Sequence, residues 1–244
     1  PQSLFVGGAY LYQRVPAIID KPLYARPLGS SGDWFIYRNA AFALRQDTVL
    51  PFYFKQKLLP GTETLPFPSL TSWMAQFTAA PGGPDGMLSP GNHHPTYRLP
   101  GDTVDVAPLI CWESVFTYYP RRAVAQGAEI LAVLTNDGWW GNTPGYRQHL
   151  MYSQVQAISH RRSVVRAANT GISACIAPTG KLLASAGFEA QTSLHAPVPV
   201  YPKITYFTRM GDYIGRMALF FSALLLLYTL TQYLLPKKKG SGFY

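Results

Sequence analysis

The stretch Ala107-Pro108-Leu109-Ile110-Cys111-Trp112-Glu113 joins an apolar run to a cysteine, and an acidic residue follows two positions later. Residues 106–110 are typical of a short buried strand, and the more polar residues from Glu113 onward favour a helix. Cys111 is therefore predicted at the carboxyl end of a strand, where α/β proteins gather reactive groups. A thiol beside a cation can react there as a thiolate. The alternative is a small buried hydrophobic residue, the usual role of a free cysteine.

Strands and helices predicted on both sides of this segment alternate along the chain. Apolar runs predict strands at 4–12, 34–44, 129–135, 163–168 and 172–177, with a further extended piece at 48–54. Helices are predicted at 115–126, where Pro120 argues for a break or a late start, and at 146–162, with Met151, Val155 and Ile158 on one face. This order indicates an α/β or α+β layered domain.

The long Pro- and Gly-rich segment 60–97 contains one short amphipathic pattern. Leu70, Trp73, Met74 and Phe77 recur at helical spacing after Ser69, a candidate N-cap. The stripe could pack on the core or lie on lipid, and the sequence leaves both open.

Composition narrows the class of protein. The 244 residues carry a net charge of +9, yet only 14% are charged and 48% are hydrophobic, which suits one sizeable domain plus an appendage and not a nucleic-acid-binding module. Two cysteines are too few for a disulfide scaffold, although a Cys111–Cys175 bridge stays possible. His93-His94 lacks the spacing of a metal motif, so no metal site and no cofactor are predicted.

The segment 217–235 is an uncharged, largely apolar run close to the length that crosses a bilayer as a helix. It predicts one C-terminal transmembrane helix, with a buried core helix as the alternative. Three lysines in 236–244 predict a basic cytoplasmic tail by the positive-inside rule, so residues before Arg216 face the other side.

Five segments, in order along the chain, carry a resemblance to the carbon–nitrogen hydrolase (nitrilase) superfamily. They are Phe54-Lys55-Gln56-Lys57-Leu58-Leu59-Pro60, Ile110-Cys111-Trp112-Glu113, Thr135-Asn136-Asp137-Gly138-Trp139-Trp140-Gly141, Gln148-His149, and Arg166-Ala167-Ala168-Asn169-Thr170-Gly171-Ile172-Ser173-Ala174. The resemblance covers most of the chain. It implies a nitrilase-like α-β-β-α sandwich over residues 1–208, incomplete at its N-terminus.

The resemblance also implies roles for particular residues. Cys111 matches the family's nucleophile and Lys55 its catalytic lysine, whereas a solvated lysine would be the ordinary interpretation of Lys55. Glu63 falls at the position of a supporting glutamate, although its sequence context departs from the family pattern. Asn39 matches a site asparagine, with a strand-edge amide as the alternative.

Other side chains near the motifs have less definite predictions. Glu113 is expected to orient the site or pair with a cation, or to cap the following helix. Asn136 and Asp137 are predicted only to form the turn that closes a strand. Predicted contacts with substrate or membrane involve the tryptophans Trp73, Trp112, Trp139 and Trp140, with core packing as an equal alternative for the adjacent pair.

Soluble nitrilases lack a C-terminal span, so the resemblance points to the membrane-bound acyl-transferring members of the superfamily. Those members transfer an acyl chain from a phospholipid, through a cysteine thioester, to the N-terminal amine of a diacylglyceryl-cysteine lipoprotein. The expected partners are thus a phospholipid donor, a lipoprotein acceptor and the bilayer, with no nucleic acid. The expected location is the bacterial inner membrane, with the catalytic domain on the periplasmic side.

The superfamily's general-base glutamate has no counterpart before Lys55. We therefore expect that glutamate, with further membrane helices, upstream of residue 1, and expect the 244 residues alone to be inactive. Two alternatives remain: a nitrilase-type amidase or carbamoylase for a small soluble amide, and a catalytically dead membrane-anchored binding module.

Overall fold

A computed structural model describes residues 3–21, 24–67, 70, 87–99, 101 and 104–235. The predicted helix after Ser69 lies outside these ranges, except for Leu70, which is exposed. The tail 236–244 also lies outside them.

A five-stranded antiparallel sheet forms the first part of the chain. Its strands are β1 (Leu4–Val15), β2 (Arg26–Pro27), β3 (Trp34–Arg45), β4 (Thr48–Val49) and β5 (Tyr53–Phe54). The long strand β3 pairs with all four others. The single extended piece predicted at 48–54 is instead two short strands, because Pro51 has no N–H to donate to a ladder.

A six-stranded sheet carries the Cys111 segment. Its strands are β6 (Tyr97–Arg98), β7 (Asp105–Ile110), β8 (Ile130–Thr135), β9 (Ser163–Ala168), β10 (Ala174–Ile176) and β11 (Leu182–Ser185). They lie side by side in reverse chain order, from β11 to β6. Since β7, β8 and β9 are parallel, their carboxyl ends meet at one edge of the sheet.

Two helices follow strands of this sheet. A 3-10 turn (Cys111–Val115) separates β7 from α1 (Tyr118–Ala125), so the helix predicted from residue 115 starts later, with Pro120 in its first turn, where a missing N–H costs little. The 3-10 turn Gly138–Trp140 precedes α2 (Pro144–His160). Thr143 caps α2 by accepting a hydrogen bond from the backbone N–H of Gly145.

The core lies on both faces of the six-stranded sheet. On one face Leu109, Leu131 and Val133 pack against α1 and α2 through Val124 and Leu150. On the other face, the buried side chains of β7 and β8 pack against β1 of the five-stranded sheet through Val106, Ile130, Ala132, Leu4 and Val6. The described residues thus form three layers, helices, sheet and sheet, and α1 and α2 supply one of the two helical layers of the predicted sandwich.

The apolar stripe of α2 lies on its exposed face, where Met151, Val155 and Ile158 are about half exposed. The face toward the core is largely polar, with His149, Ser153, Gln156 and His160 all buried. Each of these side chains forms at least one hydrogen bond to another buried group, which offsets part of the free-energy cost of its desolvation.

The chain ends in two further helices, α3 (Tyr206–Met210) and α4 (Tyr213–Leu234). Helix α4 has 22 residues and contains an 18-residue window with a mean hydropathy of 1.7, none of which is buried, so it is long and apolar enough to cross a membrane. It begins before the predicted start at Met217 and includes Arg216. Its exposure contradicts the alternative of a buried core helix.

Candidate active site

Cys111 lies where β7 ends, as its sequence position predicts, and it has a φ of +49°. That left-handed conformation is strained for a residue with a Cβ and persists only when its surroundings enforce it. Three hydrogen bonds do so. The Cys111 carbonyl accepts from Ser114 Oγ at 2.8 Å and lies 3.2 Å from His149 Nε2, and the Ile110 N–H donates to Glu113 Oε2 at 2.8 Å.

The thiol of Cys111 is half-buried, whereas Cys175 is buried in β10, and both cysteines are free. The possible disulfide between them is therefore wrong. The partial exposure of Cys111 also argues against a purely structural hydrophobic residue.

Lys55 is 2% exposed, so the interpretation as a solvated lysine is wrong. Its Nζ donates to both carboxylate oxygens of Glu63, at 2.8 Å and 2.7 Å. Asn39 Nδ2 donates to the same carboxylate at 3.1 Å, and so does the Leu59 N–H at 2.8 Å. Asn39 lies in the central strand β3, so the strand-edge alternative for it is also wrong.

Glu113 is fully buried and joins the lysine loop to the cysteine turn. One oxygen accepts from Tyr53 Oη at 2.6 Å, from the Gln56 N–H at 2.7 Å and from the Lys57 N–H at 3.2 Å, while the other binds the Ile110 N–H. Burial raises the pKa of Glu113, and the four hydrogen bonds oppose that rise. Within the described residues no cation pairs with it, so the geometry fits the orienting role.

A buried charged network lies behind Cys111, and sequence reasoning missed it. Asp137 Oδ1 lies 2.8 Å from His149 Nδ1, and Asp137 Oδ2 accepts a hydrogen bond from Arg166. Burial alone would raise the pKa of Asp137, but the hydrogen bond to His149 and the charge of Arg166 hold it below its ordinary value. Asp137 is therefore more than a turn residue, since through His149 it supports the Cys111 carbonyl.

The Cys111 Sγ, an Asp137 oxygen and a His149 ring nitrogen lie within 4.8 Å of one another, the spacing that a bound metal would require. Both ring nitrogens of His149 already have partners, and the guanidinium of Arg166 donates to Asp137. A cation placed there would lie next to that guanidinium. The donor set therefore fits an ion-pair network better than a metal site.

An open cleft with a volume of about 830 Å³ collects these groups at the carboxyl ends of β7, β8 and β9. Cys111, Lys55, Glu63 and Asn39 all line it. Its wall also includes part of β1, where burial and the charges of Glu63 and Cys111 raise the pKa of Tyr10. Every predicted site residue that the structure describes lines this cleft except Glu113. Glu113 lies beneath the cleft surface and bonds to the backbone on both sides of it.

The predicted tryptophans Trp112, Trp139 and Trp140 line the same cleft. Trp139 is 49% exposed and Trp140 39%, so the core-packing alternative for that pair is wrong. The ring centroids of Trp112 and Trp140 are 6.4 Å apart, which makes one aromatic wall. Trp73 lies outside the described residues.

One signal in the sequence could have revealed the missed network. Arg166 falls at a buried position of β9, among Val164, Val165, Ala167 and Ala168, and a charge at such a position needs a buried partner. Asp137, two residues beyond the end of the neighbouring strand β8, was the available acid.

Comparisons with known proteins identify the family. The model of the carbon-nitrogen hydrolase family matches residues 33–200. An apolipoprotein N-acyltransferase from Chlorobaculum tepidum is 29% identical over 196 residues, which are 79% of this chain and 37% of that protein. Apolipoprotein N-acyltransferase 2 from Treponema pallidum is 33% identical over 206 residues, 82% of this chain and 36% of that protein.

The chain thus spans little more than a third of the length of these curated relatives. Among solved structures, an amidase from Nesterenkonia sp. aligns with a TM-score of 0.47 at 19% identity, over 63% of this chain and 52% of that chain.

Proposed function

The chain belongs to the carbon–nitrogen hydrolase family, and we propose that it is the thioester-forming part of a membrane-bound N-acyltransferase that acylates lipoproteins. The names of its relatives support this activity. The observation that carries the proposal is the buried Lys55–Glu63 pair, which lines the same cleft as the strained Cys111. A fixed cation and a nucleophile in one cleft are the elements that acyl transfer requires.

In the first step the Cys111 sulfur attacks the carbonyl carbon of a phospholipid ester. A carbon–sulfur bond forms, the ester carbon–oxygen bond breaks, and the departing lysophospholipid alkoxide takes the proton that the thiol releases. Lys55 has three N–H donors, and Glu63 accepts from it at two oxygens. The donor capacity that remains can stabilise the oxyanion that develops on the attacked carbonyl.

In the second step the free α-amine of a diacylglyceryl-cysteine lipoprotein attacks the thioester carbonyl. A carbon–nitrogen bond forms, the carbon–sulfur bond breaks, and the sulfur recovers the proton that the amine loses. The role of Glu113 and of the Asp137–His149 pair is positional, because they bond to the backbone around Cys111 and not to its sulfur. They hold the nucleophile in the conformation that both steps share.

The lipid donor is reached from the bilayer. Helix α4 exposes apolar side chains along its length, and Trp139 and Trp140 present an exposed aromatic surface at the cleft. Tryptophan favours the membrane interface, where its apolar ring contacts lipid and its N–H is hydrated. In this proposal the segment 217–235, nearly all of which lies in α4, spans the bacterial inner membrane, the domain 1–208 lies on the periplasmic side, and the tail 236–244 is cytoplasmic.

An amidase or carbamoylase acting on a small soluble amide would use the same cysteine and lysine. The exposed apolar helix α4 favours the acyltransferase, since a soluble substrate gives that helix no role. A catalytically dead binding module has no use for a strained cysteine braced by three hydrogen bonds.

The test is to incubate the full-length protein, with the residues that precede residue 1, in detergent with phospholipid that carries a labelled acyl chain, and then to locate the label by mass spectrometry. We expect hydroxylamine-sensitive label on Cys111, absent from Cys111→Ala and unchanged in the matched control Cys175→Ala. Label that persists in Cys111→Ala, or that resides on Cys175, would contradict the proposal.

A further inference from the structure

A second cleft lies at the junction of α1, α3 and the start of α4. Its volume is about 590 Å³, within the roughly 300–1,000 Å³ of small-molecule sites. It shares no lining residue with the cleft at Cys111. Two arginines, Arg121 and Arg216, line it together with the apolar side chains of Met210 and Leu219.

The backbone of the segment that joins α3 to α4 orients both guanidinium groups. Arg121 donates to the carbonyls of Thr208 and Arg209, at 2.8 Å and 2.9 Å, and Arg216 donates to the Met210 carbonyl. Each guanidinium has five N–H donors, so both keep donors that these carbonyls do not use.

Gly211 lets Arg121 lie against this segment, because a Cβ there would come within 3.3 Å of Arg121 Nε. Within the ranges that the structure describes, neither Arg121 nor Arg216 forms a salt bridge. The one acidic residue that lines the cleft, Asp212, accepts a hydrogen bond from the Gly215 N–H as the N-cap of α4. Two arginines and one aspartate leave the cleft with an excess of positive charge.

We propose that this cleft binds the phosphodiester of a membrane phospholipid with a net negative headgroup. A guanidinium group can donate two parallel hydrogen bonds to two oxygens of one phosphate. The excess positive charge of the cleft favours an anionic headgroup over a zwitterionic one. The occupant is a lipid and not a free phosphate, because the arginines share the cleft with apolar side chains.

The position of the cleft relative to the bilayer also fits a lipid. This step rests on the proposed function, in which α4 spans the membrane. Arg216 lies in the first turn of α4, and Met217 and Leu219, just after it, are exposed and apolar. If α4 spans the bilayer, the cleft lies at the headgroup level, and acyl chains can follow the apolar surface of the helix. The bound lipid would fix the orientation of the domain relative to the membrane. Because this cleft is separate from the one that contains Cys111, the bound lipid is not a substrate and stays intact.

The experiment titrates the detergent-purified Cys111→Ala protein with phosphatidylglycerol or with phosphatidylcholine of the same acyl chains, and counts bound lipids by native mass spectrometry. We expect phosphatidylglycerol to bind more tightly, and Arg216→Gln to weaken its binding by about tenfold, as the loss of a charged hydrogen bond implies. Arg45→Gln, which removes the same charge from the end of β3 in the other sheet, should leave binding unchanged.

Arg121→Gln should weaken binding as Arg216→Gln does, and thermal unfolding of both variants shows whether the fold survives. Equal binding of the two lipids by the starting protein, or unchanged phosphatidylglycerol binding in a folded Arg216→Gln variant, would overturn the proposal. Displacement of the lipid by equimolar glycerol phosphate would also overturn it, because the site would then be one for free phosphate. Lipid binding is measured here without acyl transfer, so its outcome is independent of the labelling experiment. Absence of label from Cys111 in that experiment would contradict the proposed function and leave the lipid-binding result unaffected.

Discussion

The Nζ atom of Lys55 lies 2.8 Å and 2.7 Å from the two carboxylate oxygens of Glu63, and the lysine is almost wholly buried. Breaking a buried ion pair by removing one partner leaves an uncompensated charge and is strongly destabilising. Because both oxygens of Glu63 accept from Lys55 Nζ, the ion pair fixes the position of the ammonium in the cleft.

Replacing Lys55 by arginine should damage acyl transfer almost as much as replacing it by alanine. A planar guanidinium cannot take the place of a compact ammonium between the two oxygens of Glu63. Loss of one oxyanion donor costs about 10²- to 10³-fold in rate. The measurement is the rate of thioester formation on Cys111 for each variant.

Lys57 is the control for Lys55, two residues away. Its ammonium lies over the ring of Phe116, 5.1 Å from the ring centroid, and its side chain does not line the cleft. Lys57→Ala should therefore have a mild effect. A severe Lys57→Ala with a mild Lys55→Ala would show that the lysine was assigned to the wrong position.

Replacing Glu113 by glutamine should lower both stability and activity. Glutamine offers one acceptor oxygen in place of two, and its NH₂ group would face N–H donors that now bond to the carboxylate. An unsatisfied buried donor costs about 1–3 kcal/mol in the free energy of unfolding. Denaturant unfolding in detergent measures the loss, and an unfolding midpoint equal to that of the wild type would contradict the bracing role.

Gly171→Ala should disrupt the Asp137 network, whereas Gly141→Ala should not. Both glycines have positive φ, but a Cβ on Gly171 would lie 2.6 Å from Asp137 Oδ2, whereas nothing lies within 4 Å of one on Gly141. Both substitutions place alanine at positive φ, +122° at Gly171 and +53° at Gly141, and only Gly171→Ala adds the clash with Asp137. Thioester formation should fall well below wild type only in Gly171→Ala, and equal rates in the two variants would refute this.

Acidification from pH 6.5 towards 4 should destabilise the protein. Burial, with the nearby charges of Arg122 and Arg162, lowers the pKa of His94 and of His160 from 6.5 to about 4. Between those values the unfolded chain binds protons that the folded one does not, so stability falls as the pH falls. Each histidine contributes on the order of 1.4 kcal/mol per pH unit over that window.

The free energy of unfolding, measured at several pH values between 7 and 4, gives the slope. His94→Phe should reduce this slope, because phenylalanine can pack against the ring of Tyr53 as His94 does and binds no proton. A slope that His94→Phe leaves at the wild-type value would show that another group titrates.

The sequence by itself determined the order of the longer strands and of the two helices between them, together with the position of Cys111 at the end of a strand. Strands β7 and β8 are short, continuous apolar runs, which local pattern identifies, and Cys111 follows one of them directly. The family resemblance added Lys55, Glu63 and Asn39, and the structure brings these three together.

Only the tertiary structure decided which charges are paired and which apolar faces stay uncovered. Arg166 and Asp137 are 29 residues apart, and Tyr53 and Glu113 are 60 apart, so no local pattern joins them. The stripe of α2 has the periodicity of a core face, yet it is exposed because buried hydrogen bonds turn the polar face inward. Local periodicity records which residues share a face, but the partner that covers a face, and the bonds that allow a charge to be buried, depend on contacts distant in the sequence.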